Sequence, residues 1–512
     1  MKLLSFLLFL PLLSALLLLF IPGIKERFIK NSSLAVNLIA LIGWIFVLIS
    51  INGNHNVFPV DEKYTWFNVS SGEFNFTAGY HIIADSLSIP LLLLTAVVMV
   101  VATISAFKIK SNIKAFFVLF QILYTAIIGT FLSADMLLFY VFFEFMLIPL
   151  YFMIGLWGGP KREYAAIKFF LFTLAGSLFI LIAMIVLYAS AHTFDLDGLS
   201  GLKGLIPGSI LDTSSGIKFF EISSATWVLL LLLTGFAIKV PVAPFHTWLP
   251  DAHVEAPTSV SIILAALLLK TGTYGMIRFG ALILPEIFME HHAVLAIFGV
   301  VSIIYGALNA LGSNDLKRMI AYSSISHMGF VILGIASGTQ TAIQGAIFQM
   351  VSHGLISTML FLIAGILQDR TGDRIISHHS GLYQRMPGYA AIILIAFFAA
   401  MGIPGFSAFI GEFLILIGSY QAGNLPAALP VVATIGILLS AAYLLWTIQR
   451  LLFGPFHTAN GIEPTDVNAT ELIMLLPLAL LTIFLGIFPA FLLDILAPFA
   501  MSWENIMTQA IK

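Results

Sequence analysis

Windows of about 20 predominantly apolar residues, each long enough for a helix to cross a bilayer, recur along this chain from end to end. They lie at 3–22, 33–52, 84–107, 114–132, 134–156, 164–190, 224–248, 257–280, 291–311, 318–337, 341–368, 388–421, 427–450 and 471–500. This pattern predicts an all-α polytopic membrane protein with about 14 transmembrane helices. Spans joined by short loops use up the length, leaving no room for a soluble domain of ordinary size. Two boundaries are soft: 114–156, where only Ser133, Ala134 and Asp135 separate two spans, and 388–421, which is long enough to bend. The run from Met1 to Phe20 is longer than a signal-peptide core and has no A-x-A site before Lys25, so it reads as a retained first helix.

Composition narrows the function. Charged residues make up 9% of the chain, against about 25% in soluble domains. The net charge of −2 gives no basis for a nucleic-acid partner. There is no cysteine, which excludes thiolate-held iron–sulfur clusters and thiolate zinc sites in this chain. Cysteine usage therefore says nothing about the redox compartment.

Lysine and arginine sort the loops into two sets. One set holds Lys25, Arg27 and Lys30, then Lys108, Lys110 and Lys114, then Lys161 and Arg162, then Lys317 and Arg318, then Arg370, Arg374 and Arg385, then Arg450. The other holds Lys2, Lys63, Lys203, Lys218 and Lys512 among many carboxylates. The positive-inside rule puts the first set inside and both termini on the outer side of the cell inner (plasma) membrane. Lys168 and Arg278, near the ends of their helices, read as residues that snorkel to the headgroups.

Four ionisable residues lie deep within apolar spans: Glu144, Lys239, Lys270 and Glu412. A charge at bilayer depth costs roughly 2.5–3.5 kcal/mol on insertion scales, so such residues mark ion or proton paths by default. Glu144 reads as a partner for a buried lysine, with a protonated structural glutamate as the competing reading. Lys239 is followed by Pro241 and Pro244, which predict a helix broken in mid-membrane. A plain proline kink over a salt bridge competes with that reading. Lys270 sits at a helix centre, where snorkelling is harder, and suits a proton relay. Glu412 follows Gly402, Pro404, Gly405 and Gly411, a second broken helix. Interrupted helices in matching places point to inverted repeats, here spans 4–8 and 9–13. The expected organisation is residues 1–113 for helices 1–3, 114–280 and 281–453 for two inverted five-helix repeats, and 454–512 for helix 14.

His246, His327 and His353 fall between these sites, with Ser323, Ser326, Gln349, Ser352 and Thr358 forming a polar strip. Each alone reads equally well as a satisfied buried histidine. As a set they suit proton relay, since histidine titrates near neutral pH. Haem ligation by paired histidines is the lesser alternative. His291, His292, His378, His379 and His457 read as loop residues without a role.

The stretch Ala237-Ile-Lys-Val-Pro-Val-Ala-Pro-Phe-His-Thr-Trp-Leu-Pro-Asp-Ala-His253-Val-Glu-Ala-Pro257-Thr-Ser, running on to Lys270, resembles the antiporter-like membrane chains of respiratory complex I. Asn314-Asp-Leu-Lys-Arg-Met-Ile-Ala-Tyr-Ser-Ser-Ile-Ser-His-Met-Gly329 is similar to that family's second signature. The resemblance covers essentially the whole chain, and both motifs are long and specific. Glutamate at 412, where other members usually carry lysine, is similar to the branch called chain M, or chain 4 in mitochondria. Leu138-Phe-Tyr-Val-Phe-Phe-Glu144 and Trp157-Gly-Gly-Pro-Lys-Arg-Glu-Tyr164 also fit that branch. The very long extra C-terminal helix of chain L is lacking.

The resemblance implies a proton-translocating, non-redox subunit of a proton-pumping NADH:quinone oxidoreductase. It pairs Glu144 with Lys239, makes Lys270 the central relay and Glu412 the terminal acid, and matches His246, His327 and His353 to a hydrated axis. It leaves the group Asp251, His253 and Glu255 without a clear role. It implies no catalytic, cofactor or metal ligand in this chain; NADH, FMN, Fe-S clusters and quinone would be bound elsewhere in the complex. Expected partners are the neighbouring antiporter-like chains L and N, small membrane subunits and the lipid bilayer. The nearest rival is a subunit of an Mrp-type sodium/proton antiporter; a purely structural membrane scaffold is the rival of another class.

Overall fold

Apolar spans with no outside partner for their backbone must close their own hydrogen bonds, and this chain does so as a helical bundle. The computed structural model describes residues 2–21, 25–53, 60–71, 74–212, 218–219, 222–459 and 461–511. Met1, the start of the first apolar run, and Lys512, used in the reading of orientation, lie outside them. Twelve helices among the described residues are long and apolar enough to cross a membrane. The protein is thus a mostly helical, multi-pass membrane protein.

The chain begins with α1 (Leu3–Phe20) and α2 (Glu26–Gly53). An antiparallel hairpin that the sequence reading did not anticipate, β1 (Val60–Ser71) with β2 (Phe74–Ala84), leads to α3 (Ser88–Ser105). Next come α4 (Ile113–Leu132), α5 (Met136–Phe145), α6 (Leu147–Trp157), α7 (Arg162–Ala191) and the short α8 (Leu196–Leu199). Asp135 separates α4 from α5 by accepting from the Leu137 and Leu138 amides, both at 3.0 Å, so the soft boundary in 114–156 is an N-cap. The irregularity between α5 and α6 falls just after Glu144, where Pro149 has no N–H to offer the Phe145 carbonyl.

The middle of the chain holds α9 (Ser224–Lys239), α10 (Trp248–Glu255), α11 (Thr258–Ile263) and α12 (Leu269–Gly275). The expected span 224–248 therefore breaks immediately after Lys239. Side chains satisfy backbone groups at the break: Trp248 Nε1 donates to the Ile238 carbonyl at 2.9 Å, and Ser302 Oγ accepts from the Ala243 amide at 3.0 Å. The expected span 257–280 is continuous, but two π-helical turns, Leu264–Leu268 and Met276–Ala281, flank α12.

Then follow α13 (Pro285–Gly312), α14 (Leu316–Ala336), α15 (Gln340–Thr371), α16 (Pro387–Ala400), α17 (Ser407–Gln421), α18 (Ala428–Leu452), α19 (Ala469–Ile487) and α20 (Ala490–Ile511). The expected span 388–421 is broken between α16 and α17, with Gly402 at φ 71° and Gly405 at φ 99°. The expected span 471–500 is two helices, because α19 stops before Pro489 and α20 starts anew. His291 and His292, read as loop residues, lie in α13.

Glycines let the helices that carry buried charges approach closely. A Cβ on Gly329 of α14 would sit 2.6 Å from the Gly299 carbonyl oxygen of α13. A Cβ on Gly235 of α9 would sit 2.5 Å from the Gly176 carbonyl oxygen of α7.

The two sets of loops gather at opposite ends of the bundle. At the basic end Lys108 pairs with Asp369 at 2.6 Å, Arg374 with Asp315 at 2.6 Å, and Arg370 with Glu471 at 2.5 Å. At the other end Lys63 pairs with Asp195 at 2.8 Å, and the Gln340 amide donates to Glu504 at 3.3 Å. Arg278 does not snorkel: it is buried at this end, 2.6 Å from Asp85 and over the Tyr274 ring. Lys168 is likewise held, 2.7 Å from Asp251, which also binds Arg318 at 3.0 Å.

Candidate functional site: a buried row of ionisable side chains

The row starts on α12. Lys270 has no exposed surface. Its Nζ donates to the Ala265 carbonyl at 2.8 Å, within the π-helical turn, and lies 2.6 Å from His353 Nδ1 on α15. A π turn shifts the backbone hydrogen-bonding pattern, and such turns recur at functional sites. An ammonium has only donors to offer, so beside a charged Lys270 the His353 Nδ1 is the acceptor and Nε2 carries the proton.

From His353 the row continues to His327 on α14, ring centroids 5.8 Å apart. His327 Nδ1 lies 3.0 Å from Glu412 Oε1 on α17, and Gln349 Nε2 donates to the same oxygen at 3.2 Å. One turn from Gln349, Ser352 Oγ meets Ser407 Oγ at 2.7 Å, tying α15 to the first turn of α17. Glu412 Oε2 faces the second helix break: a Cβ on Gly402 would sit 2.9 Å from it. Four elements thus bring Lys270, His353, His327 and Glu412 into one chain of buried contacts.

Glu144 and Lys239 face each other electrostatically but do not touch through an ion pair among the described contacts. Lys239 Nζ instead donates to the Phe143 carbonyl at 3.3 Å and stands 4.0 Å from the Phe143 ring centroid. The aromatic face and the carbonyl both present negative charge to the ammonium. The Glu144 Oε1 is buried without a hydrogen-bond partner, while the Ser177 hydroxyl of α7 donates to the Leu174 carbonyl at 2.9 Å. Phe143 is thus a contact of Lys239 that sequence reasoning missed, since an apolar ring carries no charge signal of its own.

His246 stands apart from the row. It lies in the break between α9 and α10, edge-on to Tyr305 at 4.8 Å and near Tyr322 at 6.3 Å, with Nδ1 unpartnered. The Lys168 ammonium of the Lys168–Asp251–Arg318 cluster is within electrostatic reach of its ring. His253, which sequence reasoning left without a role, is buried, stacked on Phe361 at 4.5 Å, with neither ring nitrogen bonded. Lys317 counted only as a loop charge in the sequence. It is 2% exposed and donates to the Ala256 carbonyl at 3.2 Å.

A grouping of His81, Asp195 and Asp197 has the spacing of a metal-binding set. Lys63 Nζ already stands 2.8 Å from Asp195 and 3.1 Å from Asp197, so the cluster is neutralised by an ammonium.

Residues 133–440 match the family model described as NADH:quinone oxidoreductase/Mrp antiporter, TM. The chain is similar to the NADH-quinone oxidoreductase subunit M of Rickettsia conorii, 38% identical over 515 residues and 99% of each chain. It is also similar to a chain in the structure of respiratory complex I from Thermus thermophilus with bound NADH. That match has a TM-score of 0.83 and 30% identity, covering 98% of this chain and 99% of the other. A chain of the Mrp complex from Dietzia superposes with a TM-score of 0.83 at 20% identity, covering 100% and 99%, which is a likeness of fold alone. With the broken helices and the Lys–His–His–Glu row in place, the full-length similarity shows that the chain belongs to the NADH-quinone oxidoreductase subunit M family.

Proposed function

We propose that the buried row moves protons, driven by electron transfer from NADH to quinone elsewhere in a larger complex, and that this chain does no redox chemistry itself. The observation that carries the reading is the row Lys270–His353–His327–Glu412, hydrogen-bonded at both ends with the two histidine rings 5.8 Å apart between them, every member able to bind and release a proton. Reduction of quinone biases the Glu144–Lys239 region, where the break after Lys239 is the candidate two-state element. Withdrawal of Glu144 leaves the Lys239 ammonium held only by a carbonyl and a ring, which favours release of its proton. The proton passes by Lys270 and the two histidines to Glu412 and then outward. His246 belongs to the water-lined space beside the first break.

The basic end faces inward in this reading, both termini lie outside, and the membrane is the inner membrane. Antiporter-like chains L and N flank the protein, and the NADH, flavin, iron–sulfur and quinone sites belong to other subunits. Residues 114–280 and 281–453 act as two inverted repeats, each contributing one broken helix. The Mrp-type antiporter reading is less well supported, because its structural likeness lies at 20% identity whereas full-length similarity favours subunit M.

The test is Lys239→Ala in the assembled complex. It should abolish the contribution of this chain to pumping while leaving assembly intact. A mutant complex that moves the full number of protons per electron overturns the assignment. Sodium tolerance conferred on a salt-sensitive host without any electron donor would instead favour the antiporter.

A further inference from the structure

The break after Lys239 frees backbone groups, and their new partners show what holds the buried lysine in place. Pro241 has no N–H for the Ala237 carbonyl, and the Val242 amide takes that carbonyl instead, at 2.9 Å. In a continuous helix the Val242 amide would bond the Ile238 carbonyl. The Ile238 carbonyl, next in the chain to Lys239, is therefore left for a side chain. Trp248 Nε1 donates to it at 2.9 Å, from the first residue of α10. Trp248 has no exposed surface, so this bond is shielded from water.

Because α10 has only eight residues, it is too short to be stable by itself, and its direction is set by what it touches. Asp251, one turn after Trp248, ties it to two other helices. Its Oδ2 lies 2.7 Å from Lys168 Nζ on α7, and its Oδ1 lies 3.0 Å from the Arg318 guanidinium on α14. Both oxygens are engaged in charge-assisted hydrogen bonds, roughly twice as strong as neutral ones. On the α7 side, packing and ion pairing coincide: the ring of Phe169, next to Lys168, stands 5.4 Å from that of Trp248. At the far end of α10, Glu255 Oε2 accepts from the Lys161 amide at 2.9 Å, and the Glu255 carbonyl accepts from the Gly159 amide at 2.8 Å. Those bonds fix the end of α10, whereas Asp251 fixes the stretch beside Trp248.

Two cations share this one carboxylate. Among the described residues, neither Lys168 nor Arg318 has a second carboxylate within 4.0 Å. If Asp251 loses its charge, an ammonium and a guanidinium face the same stretch of α10 with no anion between them, and like charges then push the three helices apart.

We propose that Asp251 is a positioning residue for Lys239. It pins α10 between α7 and α14, and α10 in turn holds the Ile238 carbonyl through Trp248. The last turn of α9 stays closed, and the Lys239 ammonium stays on the Phe143 carbonyl and ring. The inference rests on the reading of Lys239 as part of the proton path. Both oxygens of Asp251 are spent on Lys168 and Arg318, so it acts on Lys239 only through Trp248. Without the carboxylate, α10 turns away, the Ile238 carbonyl loses its donor, and Lys239 leaves its place.

The test uses inverted membrane vesicles carrying the assembled complex. Protons moved per NADH oxidised are the readout, and assembly is followed on native gels. Asp251→Asn keeps the shape of the side chain and drops its charge. Trp248→Phe keeps a ring against Phe169 and drops the hydrogen bond to Ile238. Both should assemble and lower the ratio to that of Lys239→Ala, whereas Asp251→Glu, which keeps the charge, should retain the unmodified ratio. A full ratio in Asp251→Asn or Trp248→Phe, beside a loss in Lys239→Ala, overturns the positioning role and leaves the proton path standing. Equal loss in Asp251→Asn and Asp251→Glu also overturns it, because the charge is then not what holds α10. If Asp251→Asn does not assemble, Lys168→Gln, which frees α10 on the α7 side alone, replaces it in the same comparison. If Lys239→Ala keeps the full ratio, the reading of the path itself fails.

Discussion

Lys270 Nζ lies 2.6 Å from His353 Nδ1, and the two residues come from the middle of the span Thr258–Ala281 and the middle of α15. At that separation a proton on one nitrogen excludes a proton on the other along the shared line. The pair therefore behaves as one proton-holding unit, placed between the Lys239 region and the His327–Glu412 contact. That arrangement turns a buried lysine, costly by itself, into a switchable element.

His353→Gln tests this directly. The glutamine side chain still accepts from Lys270 but has no titrating nitrogen. Proton passage should slow by on the order of 10²-fold, the scale of a lost acid–base group, with electron transfer from NADH to an artificial acceptor retained. Unchanged proton passage in this variant would remove His353 from the path.

Gly402→Ala probes the second break. Gly402 has φ 71° and an added Cβ would meet Glu412 Oε2 at 2.9 Å. The left-handed backbone alone costs an L-residue roughly 1–2 kcal/mol, and the carboxylate must also move. The expected outcome is a lower thermal midpoint together with impaired pumping. Equal impairment in Gly405→Ala, whose Cβ meets nothing nearby, would mean that backbone strain rather than displacement of Glu412 is responsible.

Gly235→Val separates packing from chemistry near the first break. The new side chain would press on Gly176 and Ile180 of α7, an overpacking that typically costs 1–3 kcal/mol. Because Lys239 lies one turn further along α9, less complex should assemble on native gels. Normal assembly and stability would show that α7 and α9 part without cost.

The ion pair between Lys63 and Asp195, at the end of the bundle opposite the basic one, supplies a pH prediction. Burial by itself works against the Asp195 carboxylate, but His81 and Lys63 outweigh it and hold its pKa well below the ordinary value. A depressed acid pKa contributes stability above the unfolded value of about 3.9, and that contribution is lost as pH falls through the folded pKa. At neutral pH it is fully present. Asp195→Asn should therefore lower the thermal midpoint at pH 7, with the gap to the unsubstituted protein closing in acid. A gap that stays constant down to pH 3 would assign the effect to packing instead.

Much of this molecule is legible in its sequence. Pro241 and Pro244 announced the break after Lys239, and Gly402, Pro404 and Gly405 the break before Glu412, because both residue types act through local backbone sterics. Among the described residues, the two sets of loop charges gather at opposite ends of the bundle. The misses have local causes too. Pro489 divides an apolar run that composition alone reads as one span. The β1–β2 hairpin stayed hidden because the search followed apolar windows and the hairpin falls between two of them.

Residue identity and spacing by themselves determined that the chain is a polytopic helical bundle with buried charges at two broken helices, since bilayer solvation and proline geometry act on short stretches. Tertiary structure alone decided which charges meet. Phe143 stands against Lys239 while Glu144 Oε1 is left without a hydrogen-bond partner; Lys270, His353, His327 and Glu412 fall into line; and Lys317 is folded inward beside a cavity. Those contacts depend on where glycine-lined helices cross, a relation between segments far apart in the chain that no local pattern encodes.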